Sequence, residues 1–355
     1  MKKSLTMLLA FIMVLSLAAC GKDAPNTDNS QSGSNSSTSG GTQDHTPRKD
    51  VKVLTAVKQV KGDGTVRVDY RYSLTDNRLL TAMDLQEGSA ELDVTLDYDE
   101  AAKKVTLTAV NPDPASTDAS VTVEWNDAGQ VIAATETEDG YVWKTEFTYN
   151  EAGDYATKKV YCDGKLTSTV TYTYHSSGKL MTEYKTNGDG TLVYQKTNVY
   201  DEYGNKLSYT VDHGDGDVRV DRYSYTYDDN GNVTCKQDYD DEGRETSKTE
   251  YTYDENGRME TKQTYNDDGI KSGKYSYTYD SNGNVLKEQK YNSWGEPSSS
   301  IECTYDEDGR LIKETSLNSD GELDRTLTYT YETMRMSDVE YVLYNALMMY
   351  AETWY

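Results

Sequence analysis

The chain has 355 residues, with 61 Asp and Glu against 36 Lys and Arg and a formal charge of −25. A surface of that sign is repelled by nucleic acid and by anionic lipid headgroups and draws cations or basic partners, which argues against nucleic acid as a ligand. With 32 Tyr and only 2 Phe, and few aliphatics in its repeats, the chain cannot build a thick Leu/Ile core; ladder hydrogen bonds, cross-strand aromatic pairs and burial summed over neighbouring repeats have to hold it together.

Residues 1–19 read as a secretory signal: Lys2 and Lys3 precede an apolar run, Leu5 to Leu17, too short and wrongly flanked to span a bilayer. The junction Leu17-Ala18-Ala19-Cys20 resembles the lipobox of bacterial lipoproteins. That resemblance implies cleavage between Ala19 and Cys20, acylation of Cys20, and anchoring in a membrane through the N-terminal lipid. Several acyl chains are needed for this, because each buried methylene contributes only about 0.8 kcal/mol. Loss of Lys2 and Lys3 takes the formal charge from −25 to −27. Residues 20–50 are rich in Ser, Gly, Asn and Thr without apolar periodicity, and are expected to form a disordered tether. A flexible chain of that length spans roughly 30 Å. The expected location is extracytoplasmic, on a bacterial and Gram-positive surface.

From Val51 onward the sequence repeats itself. Residues 125–332 hold the regular array, and residues 51–124 are read as degenerate copies. The best copies run Tyr227-Asp-Asp-Asn-Gly231, Tyr253-Asp-Glu-Asn-Gly257, Tyr279-Asp-Ser-Asn-Gly283 and Tyr305-Asp-Glu-Asp-Gly309, so the anchor tyrosines recur every 26 residues and Tyr331 continues the series. A second glycine follows each anchor by 16 residues, at Gly243, Gly269, Gly295 and Gly321. Self-similarity at a fixed period of this length marks a repeat architecture. Each period holds two Asx/Gly turns of the bulged hairpin kind and two strands with period-two alternation. In Val233–Tyr239 the odd-numbered residues carry most of the apolar surface, and Tyr223-Ser-Tyr225-Thr-Tyr227 sets tyrosines against hydroxyls.

Earlier anchors fall at Tyr200, Tyr174, Tyr149, Trp125, Tyr98 and Tyr72, with Asn111-Pro-Asp-Pro114 lengthening one turn. The fold class is therefore all-β: a long antiparallel meander of about ten repeats and about twenty strands. Open twisted sheets rarely pass about ten strands. The sheet is expected to curl into a shell or superhelix with its tyrosine face inward, and an extended single layer is the competing shape. Ser337-Asp-Val-Glu340 is a capping box, and Val339, Leu343, Ala346 and Tyr350 then share one helical face. Residues 333–355 are accordingly expected to form a short amphipathic cap.

The runs Tyr251-Thr-Tyr253-Asp-Glu-Asn-Gly257-Arg-Met259, Tyr277-Thr-Tyr279-Asp-Ser-Asn-Gly283-Asn-Val285 and Cys303-Thr-Tyr305-Asp-Glu-Asp-Gly309-Arg-Leu311 resemble the tyrosine-aspartate (YD) repeats of RHS-type proteins. The resemblance is strong from Tyr149 to Tyr331 and weak from Val51 to Glu124. It implies strands spiralling into a hollow shell. Large members of that family enclose a C-terminal toxin, others sit on cell surfaces, and some are credited with binding carbohydrate. This chain departs from the pattern in its longer period and in lacking a toxin-sized domain after the repeats, so a toxin-enclosing role is expected only as a remnant.

Candidate ligand-binding residues are Tyr251, Tyr253, Tyr277 and Tyr279, because stacked rings with hydroxyl tips suit sugars. The same rings equally suit interior packing of a curled sheet. The turns Asn187-Gly-Asp-Gly190, His213-Gly-Asp-Gly216 and Asp228-Asp-Asn-Gly231 gather oxygens as weak calcium sites would, but none has the full loop, and turn chemistry alone accounts for them. No metal ligand set and no cofactor motif is present. His45, His175 and His213 are scattered, and no nucleophile elbow, phosphate loop or HExxH occurs, so no enzymatic activity is expected. Cys162, Cys235 and Cys303 are odd in number and far apart, and are expected to be buried free thiols, with Cys235 and Cys303 on the inward side. Two function classes follow: a surface-displayed binding or adhesion module for glycan or protein, and a structural spacer or shell.

Overall fold

A computed structural model describes residues 49–336, apart from 76–77, 86–87, 100, 110–118 and 139. The lipobox cysteine, the tether before Lys49, Asn111–Pro114 and the capping box at Ser337 all lie outside the described residues. What is described is strand and turn, with no helix.

Twenty-two strands follow one another. The first group is β1 (Lys49–Lys61), β2 (Val66–Thr75), β3 (Arg78–Leu85), β4 (Gly88–Asp99), β5 (Lys104–Ala109) and β6 (Ala119–Trp125). Next come β7 (Val131–Glu138), β8 (Tyr141–Tyr149), β9 (Tyr155–Cys162), β10 (Lys165–Tyr174), β11 (Leu180–Asn187) and β12 (Leu192–Tyr200). Then β13 (Lys206–Asp212), β14 (Val218–Tyr227), β15 (Val233–Tyr239), β16 (Glu245–Tyr253) and β17 (Met259–Asn266). The last are β18 (Lys271–Tyr279), β19 (Val285–Tyr291), β20 (Pro297–Tyr305), β21 (Leu311–Leu317) and β22 (Leu323–Met336). Each pairs antiparallel with the next in a single sheet, as the expected meander requires. β22 runs on to Met336, so residues 333–336, assigned above to the cap, are strand.

The sheet curls far enough for its last strand to meet its first. β22 pairs with β1 from Lys49↔Met336 to Lys61↔Arg325, while the other side of β1 pairs with β2. Exposed strand edges template association, and this seam covers two of them.

The turns explain the repeat. Gly257 N donates to Asp254 O at 3.0 Å, and Asp254 N donates to Arg258 O at 2.9 Å. The Asp254 carboxylate oxygen Oδ1 accepts from the amides of Asn256 and Arg258, both at 2.9 Å. Gly257 has φ +76°, where a Cβ would be strained. The same pattern recurs at Asp228, Asp280 and Asp306. Beside each such turn the register slips by one residue, as between Thr252↔Thr261 and Tyr253↔Met259, which is a β-bulge.

Those bulges decide which side chains share a face. From Tyr251 the register runs through Lys262, Tyr275, Lys290, Ser299 and onward to Arg325 and Lys61. This face also holds Val105, Leu107, Val121, Val123 and Ala134, all nearly inaccessible to solvent, so it is the inner one. Tyrosines do point inward, and from β14 onward they do so from the even strands. Tyr223 and Tyr225 on β14, Tyr251 on β16 and Tyr277 on β18 alternate with Lys236 and Asp238 on β15, Lys262 on β17 and Glu288 on β19. The odd-residue alternation read from Val233–Tyr239 is corrected accordingly: Lys236 and Asp238 face in, and Cys235, paired with Thr226 and Glu250, faces out. Cys303, paired with Glu314, faces in. Cys162, Cys235 and Cys303 are free, as expected, but only half-buried.

The best-packed part of the molecule is not the regular array. Val53 and Val57 on β1, Val105 and Leu107 on β5, Val121 and Val123 on β6, Phe147 on β8 and Val170 on β10 are all buried. The degenerate copies and the first repeats of the array, through β10, thus carry the buried apolar core, and the later tyrosine repeats are mostly half-buried.

Candidate functional site

Alternate turns gather at two rims. The turns that follow the anchor tyrosines, such as Asp254–Gly257, Asp280–Gly283 and Asp306–Gly309, lie at one rim, and Asp240–Gly243, Asn266–Gly269 and Asn292–Gly295 lie at the other. Neighbouring turns of one rim are two strands apart, about 9.5 Å at the usual strand spacing.

At the anchor rim the tyrosine hydroxyls are engaged with backbone. Tyr253 donates to Val233 O at 2.7 Å, Tyr279 to Met259 O at 2.6 Å and Tyr305 to Val285 O at 2.9 Å. Tyr149, Tyr200 and Tyr331 make the equivalent bond to Val131, Leu180 and Leu311. In each case the acceptor is the first residue of the preceding strand. β14 departs from this: Tyr225 takes the carbonyl of Lys206 at 3.0 Å, and Tyr227 turns instead to the Asp201 carboxylate. Burial, with Glu288 adding, pushes the Tyr277 phenol up to about 12. Burial also raises Tyr251, Tyr253 and Tyr279, so these hydroxyls stay protonated donors.

At Arg258 the residue after the turn glycine links one repeat to the next. Arg258 donates from Nε to Asp254 Oδ2 at 2.8 Å and from Nη1 to Asp280 O at 2.9 Å. Its guanidinium lies 4.8 Å from the centroid of the Tyr279 ring, within cation–π range. Arg310 over Tyr331 at 5.8 Å and Lys179 over Tyr200 at 5.5 Å repeat the arrangement. The amide of Arg258 holds Asp254 below the usual carboxylate range, and the Asn284 side chain does so for Asp280.

Between the Asp254 and Asp280 turns an open cleft of about 470 Å³ is lined by Asn256, Arg258, Tyr279, Asp280, Ser281, Asn282 and Gly283. Of the four candidate tyrosines, only Tyr279 lines it. Tyr253 holds the matching position one repeat back, while Tyr251 and Tyr277 face inward opposite Lys262 and Glu288. Sequence reading missed Arg258, although its place in the period, shared with Arg310, Asn232 and Asn284, was visible.

The acidic turns spend their oxygens on themselves. Asp228 Oδ1 accepts from Asn230 and Asn232, and Asp189 and Asp215 each accept a backbone amide two residues on. Among the described residues no group of three or more His, Cys, Asp or Glu side chains is placed to hold a metal ion.

No protein-family model matches the chain. No curated protein matches it either. Among solved structures, the chain is similar to TcdB2-TccC3 without its hypervariable C-terminal region, at 15% identity and TM-score 0.36 over 80% of this chain. It spans 16% of the length of that protein. A porin-like protein from Bacteroides uniformis is similar at 14% identity and TM-score 0.26, over 79% of this chain and 98% of that one.

Proposed function

We propose that the protein is a non-catalytic binding or adhesion module, related to YD repeats, displayed outside a bacterium on a lipid attached at Cys20. The observation that carries the binding reading is the cleft at Arg258 and Tyr279, where an aromatic ring, a guanidinium and amide and hydroxyl side chains converge between successive turns. Parts of that constellation recur along the rim at a spacing on the scale of a disaccharide, which suits a polymer, and carbohydrate is the preferred ligand over a surface protein. β1 begins and β22 ends at this same rim, with Lys49 paired to Met336.

The test is binding of the mature chain to a glycan array, with Arg258→Ala beside the wild type. The reading expects reproducible hits that the variant loses while its sheet signal in circular dichroism is retained. Silence across glycans and host proteins would leave the other reading, a spacer or shell without a specific ligand. A specific observation favours that reading too: the hydroxyls of Tyr253 and Tyr279 are committed to carbonyls of the neighbouring strand. The anchor is tested separately. Cys20→Ser should abolish incorporation of radiolabelled palmitate and move the protein from the membrane to the soluble fraction.

A further inference from the structure

The far rim holds a cavity that breaks the repeat. Its volume is about 400 Å³, and its walls include Ser298, Ser299, Ser300, Ser316, Asn318 and Arg325, with Asp324 beside them. One period apart, the residues equivalent to Arg325 are Ser299, Gly273 and Ser247, so a guanidinium stands where the three preceding repeats keep a small side chain. Register places Arg325 on the inner face, opposite Ser316 on one side and Lys61 on the other.

Arg325 is also unusually underused. Arg219, Arg244, Arg258 and Arg310 each meet a carboxylate within the protein. Arg325 instead donates one hydrogen bond, from Nε to Ser316 Oγ at 3.3 Å. Among the described residues its two terminal nitrogens have no acceptor. Ser298 is the extra residue of a bulge, since Lys290 pairs with Ser299 and Tyr291 with Pro297. At the equivalent bulges Thr167 donates to Val160 O and Thr246 to Asp238 O. The matching carbonyl, that of Lys290, is taken by the Gln289 amide at 3.0 Å. Ser298 Oγ is left buried, lining the cavity, without a hydrogen-bond partner. A buried polar atom in that state is costly unless something completes it.

We propose that this cavity binds a uronic-acid residue of an acidic polysaccharide. The two free guanidinium nitrogens would take the sugar carboxylate through parallel N–H···O bonds, a geometry suited to Arg and not to Lys. Ser299, Ser316 and Asn318 supply donors and acceptors for ring hydroxyls. The inference deepens the carbohydrate reading, but it rests on a different rim and different residues from the Arg258 cleft.

Calorimetry on the mature chain at low salt would use oligoglucuronate, neutral oligoglucose and inorganic sulfate as probes, with Arg325→Gln, Arg325→Lys and Arg258→Ala as variants. The site predicts that oligoglucuronate binds the wild type and is weakened about tenfold or more by Arg325→Gln, as expected for a lost charge-assisted pair. Arg325→Lys, which keeps the charge and the fold but not the fork, should bind in between. Arg258→Ala should leave the Arg325-dependent component of oligoglucuronate binding in place, which separates this site from the first. No heat with oligoglucuronate would overturn the proposal, as would equal binding of oligoglucose or an unaffected Arg325→Gln. Sulfate competing as well as oligoglucuronate would also overturn it, by revealing a site for any oxyanion.

Discussion

A phenol hydroxyl bonded to a neighbour's carbonyl is the smallest unit of this fold, and each one ties a strand to the strand before it. Tyr279→Phe keeps the ring and leaves Met259 O without its donor, which should cost about 1 kcal/mol. Chemical denaturation should show the midpoint fall with the slope unchanged, and Tyr253→Phe and Tyr305→Phe should match it. The same residues set an alkaline limit. The phenols of Tyr225, Tyr277 and Tyr305 are raised from an ordinary 10.0 to about 12, chiefly by burial. The folded state therefore holds these protons more tightly than the unfolded chain. Their contribution is complete below pH 10.0 and is lost as pH rises towards about 12. Circular dichroism across that window should show cooperative loss of sheet. At the acid end Asp254, Asp280 and Asp306 sit below 3.8, so their contribution is present above that value and fades as pH falls beneath it.

At the scale of the hairpin, the Asx/Gly turn and its bulge set the period. Gly257→Ala would force a Cβ onto a backbone at φ +76° with open space around it, so the cost is conformational strain and not collision. It should destabilise by about 1 kcal/mol, read as a lowered thermal midpoint with the fold retained. The turns, the strands and their antiparallel order were all legible in the sequence, because Asp, Asn and Gly at fixed offsets carry their own mechanism. Facing was legible only in part. A slip of one residue sends every following side chain to the other face, and each period contains two such slips. That is why Cys235 and Lys236 were placed on the wrong sides, and why the Lys and Glu residues between the tyrosine strands went unnoticed. Arg258 and Arg325 were hidden for different reasons: the first looks like one more charged turn residue, and the second stands out only once the register aligns it with Ser299 and Gly273.

Across the whole molecule, the seam between β1 and β22 and the aliphatic cluster at β5 and β6 do what the tyrosine array cannot. A chain lacking residues 49–61 would leave β2 and β22 each with an unpaired edge and remove buried Val53 and Val57. Such a chain should associate through those edges, seen as a concentration-dependent rise in size by light scattering, while the intact protein stays at one size. The regular repeats alone gave no sign of this seam, since β1 precedes the first recognisable anchor and its partner lies at the opposite end of the array.

The seam also has a timetable. Thr55 Oγ1 donates to Thr330 O across 275 residues of sequence, so the opening strand waits for the closing one before it can dock on both sides. Contacts that distant form late, after the local hairpins have assembled. An emerging chain would zip from turn to turn yet keep an adhesive border until its final segment arrives. Refolding from urea should accordingly show a fast phase in tyrosine-dominated signals, followed by a slower one in which β1 amides gain protection from hydrogen exchange.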